Sequence, residues 1–169
     1  TPPYTSPTST VYTKGIYLAG TAAVTVTGNA IKNVMSYVAT TTSGIELAAA
    51  IGTSVTISSN TINNMTSNGT SGAAKGILVS SATGTYTISK NIINNTQEMG
   101  TSSGTAGIDA TGTVTSATIE LNRITTVYNK STGTWGASGI IFGGTAVTVK
   151  NNTVSDVKMD MTGGAAFST

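Results

Sequence analysis

The stretch VTISSNTINN, residues 55–64, decides the fold. Val55, Thr56 and Ile57 alternate apolar, polar, apolar with the period of two that puts Val55 and Ile57 on one face of a strand and Thr56 on the other. A helix would need apolar residues three and four apart, and Ser58-Ser59-Asn60 supplies none. The arrangement returns as VTVTGNAIKN (24–33), YTISKNIINN (86–95), ATIELNRITT (117–126) and VTVKNNTVSD (147–156). Its asparagine therefore recurs at Asn29, Asn60, Asn91, Asn122 and Asn152, at spacings of 31, 31, 31 and 30 residues.

A second marker keeps the same beat. Gly-Ile stands at 15–16, 44–45, 76–77, 107–108 and 139–140. After each glycine, Ile16, Ile45, Ile77, Ile108 and Ile140 share a face with Leu18, Leu47, Val79, Ala110 and Phe142. Tyr17, Glu46, Leu78, Asp109 and Ile141 point the other way. Two residues beyond the recurring asparagine comes a third apolar column, Ile31, Ile62, Ile93, Ile124 and Val154. Each repeat thus supplies three short strands.

Three such strands in about 31 residues cannot bury their apolar faces within one repeat, whereas repeats stacked at the ~4.8 Å strand spacing pair each strand with its own copy. The expected fold is all-β: a right-handed parallel β-helix, a solenoid of about five coils with about 31 residues per coil. A propeller blade needs about 40 or more residues, and a leucine-rich repeat needs its own Leu/Asn consensus. Residues 1–11 read as a Pro/Thr/Ser linker or partial preceding coil, and 12–169 as a single β-helix domain.

The Gly-Ile strand followed by VTISSNTINN resembles the repeat of right-handed parallel β-helix proteins, the pectate-lyase-like group that includes polygalacturonases, phage tailspikes and many bacterial surface proteins. The resemblance covers roughly residues 12–158 and implies a fold; function does not follow from a fold.

Asn29, Asn60, Asn91, Asn122 and Asn152 are expected to form a ladder at one corner, where asparagine tolerates the left-handed conformation and stacked amides bond along the axis. A catalytic residue is needed once, not five times, so VTISSNTINN reads as scaffold. A second column, Asn33, Asn64, Asn95, Thr126 and Asp156, reads as a solvated strand end. Thr25, Thr56, Thr87, Thr118 and Thr148 form an outward column. Ice-binding solenoids carry paired threonine arrays, but two positions on this chain runs Thr27, Ser58, Ser89, Glu120, Lys150, so ordinary β-branched surface residues are the preferred reading.

Composition narrows the chemistry. The chain has no Cys and no His, which removes thiolates, disulfides, imidazole bases and the commonest transition-metal ligands. Eight scattered Lys and Arg residues make no cationic footprint for nucleic acid. No apolar run approaches the ~20 residues needed to span a bilayer. No cofactor or metal is expected. Six carboxylates are available: Glu46, Glu98, Asp109, Glu120, Asp156 and Asp160. Glu46 and Asp109 share an outward column two coils apart, about 9.6 Å along the axis, yet Leu78 separates them, and all six read as solvated surface charge with no catalytic residue among them.

The variable segments 36–43, 66–75, 96–106 and 128–138 occupy the same point of each coil and are expected to project as a row of loops. Tyr128 and Trp135 fall in one of them as candidate carbohydrate contacts, with Trp135 covering the core as the competing reading. Low charge with abundant Thr, Ser and Asn suits a secreted bacterial surface location. The expected function is an extracellular structural or adhesive module, non-catalytic, whose partners are adjacent coils or domains of a longer chain, further copies stacked end to end, or surface glycans. A carbohydrate-binding or polysaccharide-cleaving fragment is the runner-up, and ice binding the third reading.

Overall fold

Short β-branched runs bounded by Gly, Ser and Asn give short strands, four residues in β2 and seven in β3. The computed structural model describes residues 13–20, 23–48, 54–80, 84–101, 103–112, 115–130 and 135–160. The expected linker over 1–11, the start of the first coil at Tyr12 and the closing GGAAFST lie outside the described residues.

Among the described residues, fifteen strands form three five-stranded parallel sheets. The first sheet holds β1 (Thr13–Leu18), β4 (Thr42–Leu47), β7 (Ala74–Val79), β10 (Thr105–Ala110) and β13 (Ala137–Phe142). The second holds β2 (Val24–Thr27), β5 (Ser54–Ser58), β8 (Thr85–Ser89), β11 (Ser116–Glu120) and β14 (Ala146–Lys150). The third holds β3 (Ala30–Ser36), β6 (Thr61–Ser67), β9 (Ile92–Glu98), β12 (Arg123–Asn129) and β15 (Thr153–Met159). Every strand pairs with the same strand of the next repeat, so the chain is a parallel β-solenoid. Register follows the sequence columns: Ile16↔Ile45↔Ile77↔Ile108↔Ile140, Thr25↔Thr56↔Thr87↔Thr118↔Thr148, and Ile31↔Ile62↔Ile93↔Ile124↔Val154.

The core runs down the axis as stacked isoleucines. Ile45, Ile57, Ile62, Ile77, Ile88, Ile93, Ile108, Ile119 and Ile124 are all fully buried. Stacking like on like keeps each layer the same width, and Tyr86 is accommodated because Ala117 follows it in the same column.

Each Gly-Ile glycine lies where two sheets close on each other. A Cβ on Gly76 would sit 2.5 Å from both the Gly107 carbonyl oxygen and the Ile93 side chain, and Gly44 and Gly107 meet the equivalent neighbours at 2.5–2.7 Å. Only glycine fits there, which is why this marker recurs with the asparagines.

The ladder forms as expected, but its backbone differs. The left-handed residue is the one before each ladder asparagine: Gly28, Ser59, Lys90, Leu121 and Asn151, with φ between 55° and 69°. The asparagines themselves are not left-handed; their amides are fixed instead by hydrogen bonds from neighbouring coils. Left-handed backbone also occurs at Asn33, Asn64, Asn95, Thr126 and Asp156, φ 56–61°, so this column is a kink inside each third strand and not its end. The kink resets the alternation. Ile62 and Met65 both face the core across it, and the residue two further on, Ser67 in this coil, turns inward too.

Candidate functional site

The ladder runs as a continuous chain of side-chain hydrogen bonds from Asn29 to Asn152. Asn60 Oδ1 accepts from the Asn29 backbone N–H at 3.0 Å and from Asn29 Nδ2 at 2.9 Å, while Asn60 Nδ2 donates to Asn91 Oδ1 at 3.0 Å and to the Val26 carbonyl at 2.9 Å. Asn91 and Asn122 repeat the pattern through to Asn152. Asn60, Asn91 and Asn122 are at most 1 % exposed. With both amide groups fully engaged, these side chains have no capacity left for a ligand.

The kink column carries a shorter amide ladder on the surface, Asn95 Nδ2 to Asn64 Oδ1 at 2.7 Å and Asn64 Nδ2 to Asn33 Oδ1 at 2.8 Å. Beside it, Asn94 bonds Asn63 at 3.3 Å and accepts from Thr125 at 2.9 Å. The outer face of the third sheet is thus an amide and hydroxyl surface whose groups mostly satisfy one another.

Three carboxylates are not solvated, contrary to expectation. Glu46 and Asp109 are each 8 % exposed and Glu98 is fully buried. Lys14 pairs with Glu46, and Lys75 Nζ lies 2.9 Å from Asp109 Oδ2. In both pairs the lysine sits in one coil and the acid in the next. The lysines occupy a column three residues ahead of the acids, and both columns face outward because Gly15 and Gly76 interrupt the alternation between them. Ser43 adds a 2.9 Å bond to Glu46 Oε2, and Thr111 bonds Asp109 through its hydroxyl at 2.7 Å. Burial alone would raise the Asp109 pKa, but the Lys75 charge and the Thr111 bonds outweigh it and hold the carboxyl below its usual value. A carboxylate held ionised this way suits an ion pair between coils; a general acid needs the opposite shift.

Glu98 belongs to a buried polar column that the kink creates: Ser36, Ser67, Glu98 and Asn129. Each ties down the loop leading from the third sheet to the next first-sheet strand. Ser67 Oγ donates to the Gly72 carbonyl at 2.7 Å, Glu98 Oε1 accepts from the Gly100 amide at 2.7 Å, and Asn129 Nδ2 donates to the Ser103 and Gly136 carbonyls at 3.0 Å. Among the described residues, Glu98 Oε2 has no hydrogen-bond partner. Burial pushes the Glu98 pKa up to about 7 despite the Gly100 amide and the nearby Ser67 hydroxyl. The sequence signal for this column was present in the spacing, but it becomes readable only once the left-handed kink is known.

Tyr128 and Trp135 do not share a loop. Tyr128 lies within β12, opposite Gln97 and Lys158, and its hydroxyl donates to Asp160 Oδ2 at 2.6 Å. That bond, first among the causes, raises the tyrosine pKa. Trp135 stands just before β13 with 52 % of its surface exposed, so it does not seal the core. In the threonine column's neighbour, Lys150 and Glu120 form a 3.2 Å ion pair where a flat hydroxyl array would require threonine. Among the described residues, no three His, Cys, Asp or Glu side chains come together as a metal-binding group.

Comparison with protein-family models, curated proteins and solved structures gives no match, so the solenoid assignment rests on the register of the strands themselves.

Proposed function

We propose that this chain is a structural or adhesive solenoid module of an extracellular, bacterial surface or fibre protein, non-catalytic, whose rigid stack displays loops from one edge. The supporting observation is the use made of its polar groups. Ladder amides, Lys–carboxylate pairs and the buried Ser/Glu/Asn column each link one coil to the next or pin a loop to its coil. A site built for turnover would concentrate such groups in one place. We take the solenoid to be right-handed and of the pectate-lyase-like kind, as crossovers between parallel strands overwhelmingly are right-handed.

The test is a screen of acidic and neutral polysaccharides for binding and for new reducing ends or unsaturated products. Retention without conversion, or neither, is expected. Conversion that disappears in Glu46→Gln and Asp109→Asn would replace this reading with the polysaccharide-cleaving one. An enzyme of that kind would be using the two ion-paired acids of the first sheet.

A further inference from the structure

Glu98 is the last residue of β9, and its carboxyl is buried where the chain leaves the third sheet. Its Oε1 accepts from the Gly100 N–H at 2.7 Å, which folds the turn at 99–101 back over the strand end. That turn rests on the turn of the coil before. The Met99 N–H donates to the Ser67 carbonyl at 2.8 Å and the Thr101 hydroxyl to the Thr70 carbonyl at 3.0 Å. A Cβ on Gly100 would collide with both the Gly69 carbonyl and Glu98 Oε1, so the two turns and the carboxyl are in direct contact.

An ionised carboxylate buried here would need a cation, and the chain has no lysine or arginine to give it. Of the eight, Lys14 pairs with Glu46, Lys75 with Asp109, Lys150 with Glu120 and Lys158 with Asp156. Lys32, Lys90, Arg123 and Lys130 are exposed. The side chains opposite Glu98 in register are uncharged: Ser67 on β6 and Asn129 on β12. The Ser67 hydroxyl directs its hydrogen to the Gly72 carbonyl at 2.7 Å, and the Asn129 amide donates to the Ser103 and Gly136 carbonyls. Tyr128, beside Asn129, is turned to Asp160, and the segments 68–73 and 99–101 contain no titratable side chain. Neutral, Glu98 leaves one hydroxyl in the corner; ionised, it leaves an unpaired charge where water is excluded.

We propose that Glu98 is a pH-operated latch on one loop of the solenoid's edge: as the neutral acid it holds the turn at 99–101 closed, and on ionising it moves toward water and releases the turn. The device is confined to one coil. Ser67 and Asn129 occupy the same column, tie down the equivalent segments of their own coils and do not titrate in this range. The other two buried acids, Glu46 and Asp109, carry their own lysines and stay ionised in place. What the row of loops presents therefore changes with pH at the third position and not at its neighbours. This goes beyond the reading of the chain as a structural module and can fail without it.

Amide hydrogen exchange of the 169-residue protein, followed by NMR from pH 5 to pH 8.5 and corrected for the intrinsic rise of exchange with pH, tests this. Opening at Gly100 is expected to increase on the order of 50-fold between pH 5 and pH 8, the ratio for a carboxyl that titrates at about 7 when held and at 4.5 when released. It should climb up to neutral pH and level off above it, where the carbon-13 carboxyl signal of Glu98 titrates. The amides of β7 are expected to hold constant over the same range. Glu98→Gln keeps an acceptor for the Gly100 N–H and is expected to abolish the pH dependence there. Should that variant fail to fold, the wild-type carboxyl titration and the Gly100 profile decide the matter together. Constant protection at Gly100 overturns the proposal, as does a loss shared equally by β7, a Glu98 carboxyl already ionised at pH 5, or a pH dependence that survives in Glu98→Gln.

Discussion

At the scale of single residues, Glu98 is the group whose state depends most on the surrounding fold. A carboxyl with a folded pKa of about 7 binds its proton more tightly folded than unfolded, where it titrates near 4.5. Its contribution is therefore fully present below about pH 4.5 and is lost as pH rises toward 7, the reverse of an ion-paired acid such as Asp109. Unfolding by denaturant at pH 5 and pH 8 should show Glu98→Gln close to wild type at the lower pH. At the higher pH the variant should be more stable, by about 2 kcal/mol. A variant that is less stable than wild type at both pH values would show that the carboxylate has a partner at Oε2. Thr96 is the second test at this scale. It is fully buried, with no partner for its hydroxyl among the described residues, so Thr96→Val should raise stability by about 1 kcal/mol, measured by thermal unfolding.

At the scale of the element, the third strand owes its shape to the left-handed kink. Asparagine suits it, yet the fourth copy is Thr126 at φ 56°, a β-branched residue in a conformation it disfavours. Thr126→Asn should stabilise by about 1 kcal/mol, even though the 3.0 Å bond from Thr126 to Asp156 is exchanged for an amide bond. The two structural markers should behave very differently. Asn91→Ala strands the Asn60 N–H, the Ile57 carbonyl and the Asn122 Oδ1 bond in a buried corner, a loss of about 3 kcal/mol or more. Gly76→Ala forces a methyl against a carbonyl and an isoleucine at 2.5 Å, at about 3 kcal/mol. Both should lower the denaturation midpoint, and only the asparagine loss should be partly rescued by Asn91→Asp at a pH low enough to protonate it.

At the scale of the molecule, stability should be graded along the axis, because each coil contacts only its neighbours. β4, β7 and β10 lie inside the first sheet with nearly every residue buried, whereas β14 and β15 are edges with mostly exposed residues. Amide hydrogen exchange should be slowest in the three inner first-sheet strands and fastest in β14 and β15.

The sequence by itself determined the period, the three strands of each coil, the inward columns and the ladder asparagines. All of these depend on an alternation of two and a repeat near 31, which are properties of residue order and survive without coordinates. It did not determine the fate of the charges. Glu46 and Asp109 looked solvated because period two put them on the outer face, and nothing in their own coil supplies an opposite charge; the lysines reach them from the coil before. Glu98 looked exposed because it falls in the variable segment 96–106, read as a projecting loop; the strand in fact runs through it, and the left-handed kink at Asn95 turns it inward. Tyr128 looked like a loop residue because its strand is longer than the apolar pattern marks. Each of these depends on contacts between residues about 31 apart or on a backbone dihedral, and both are set only when the coils stack.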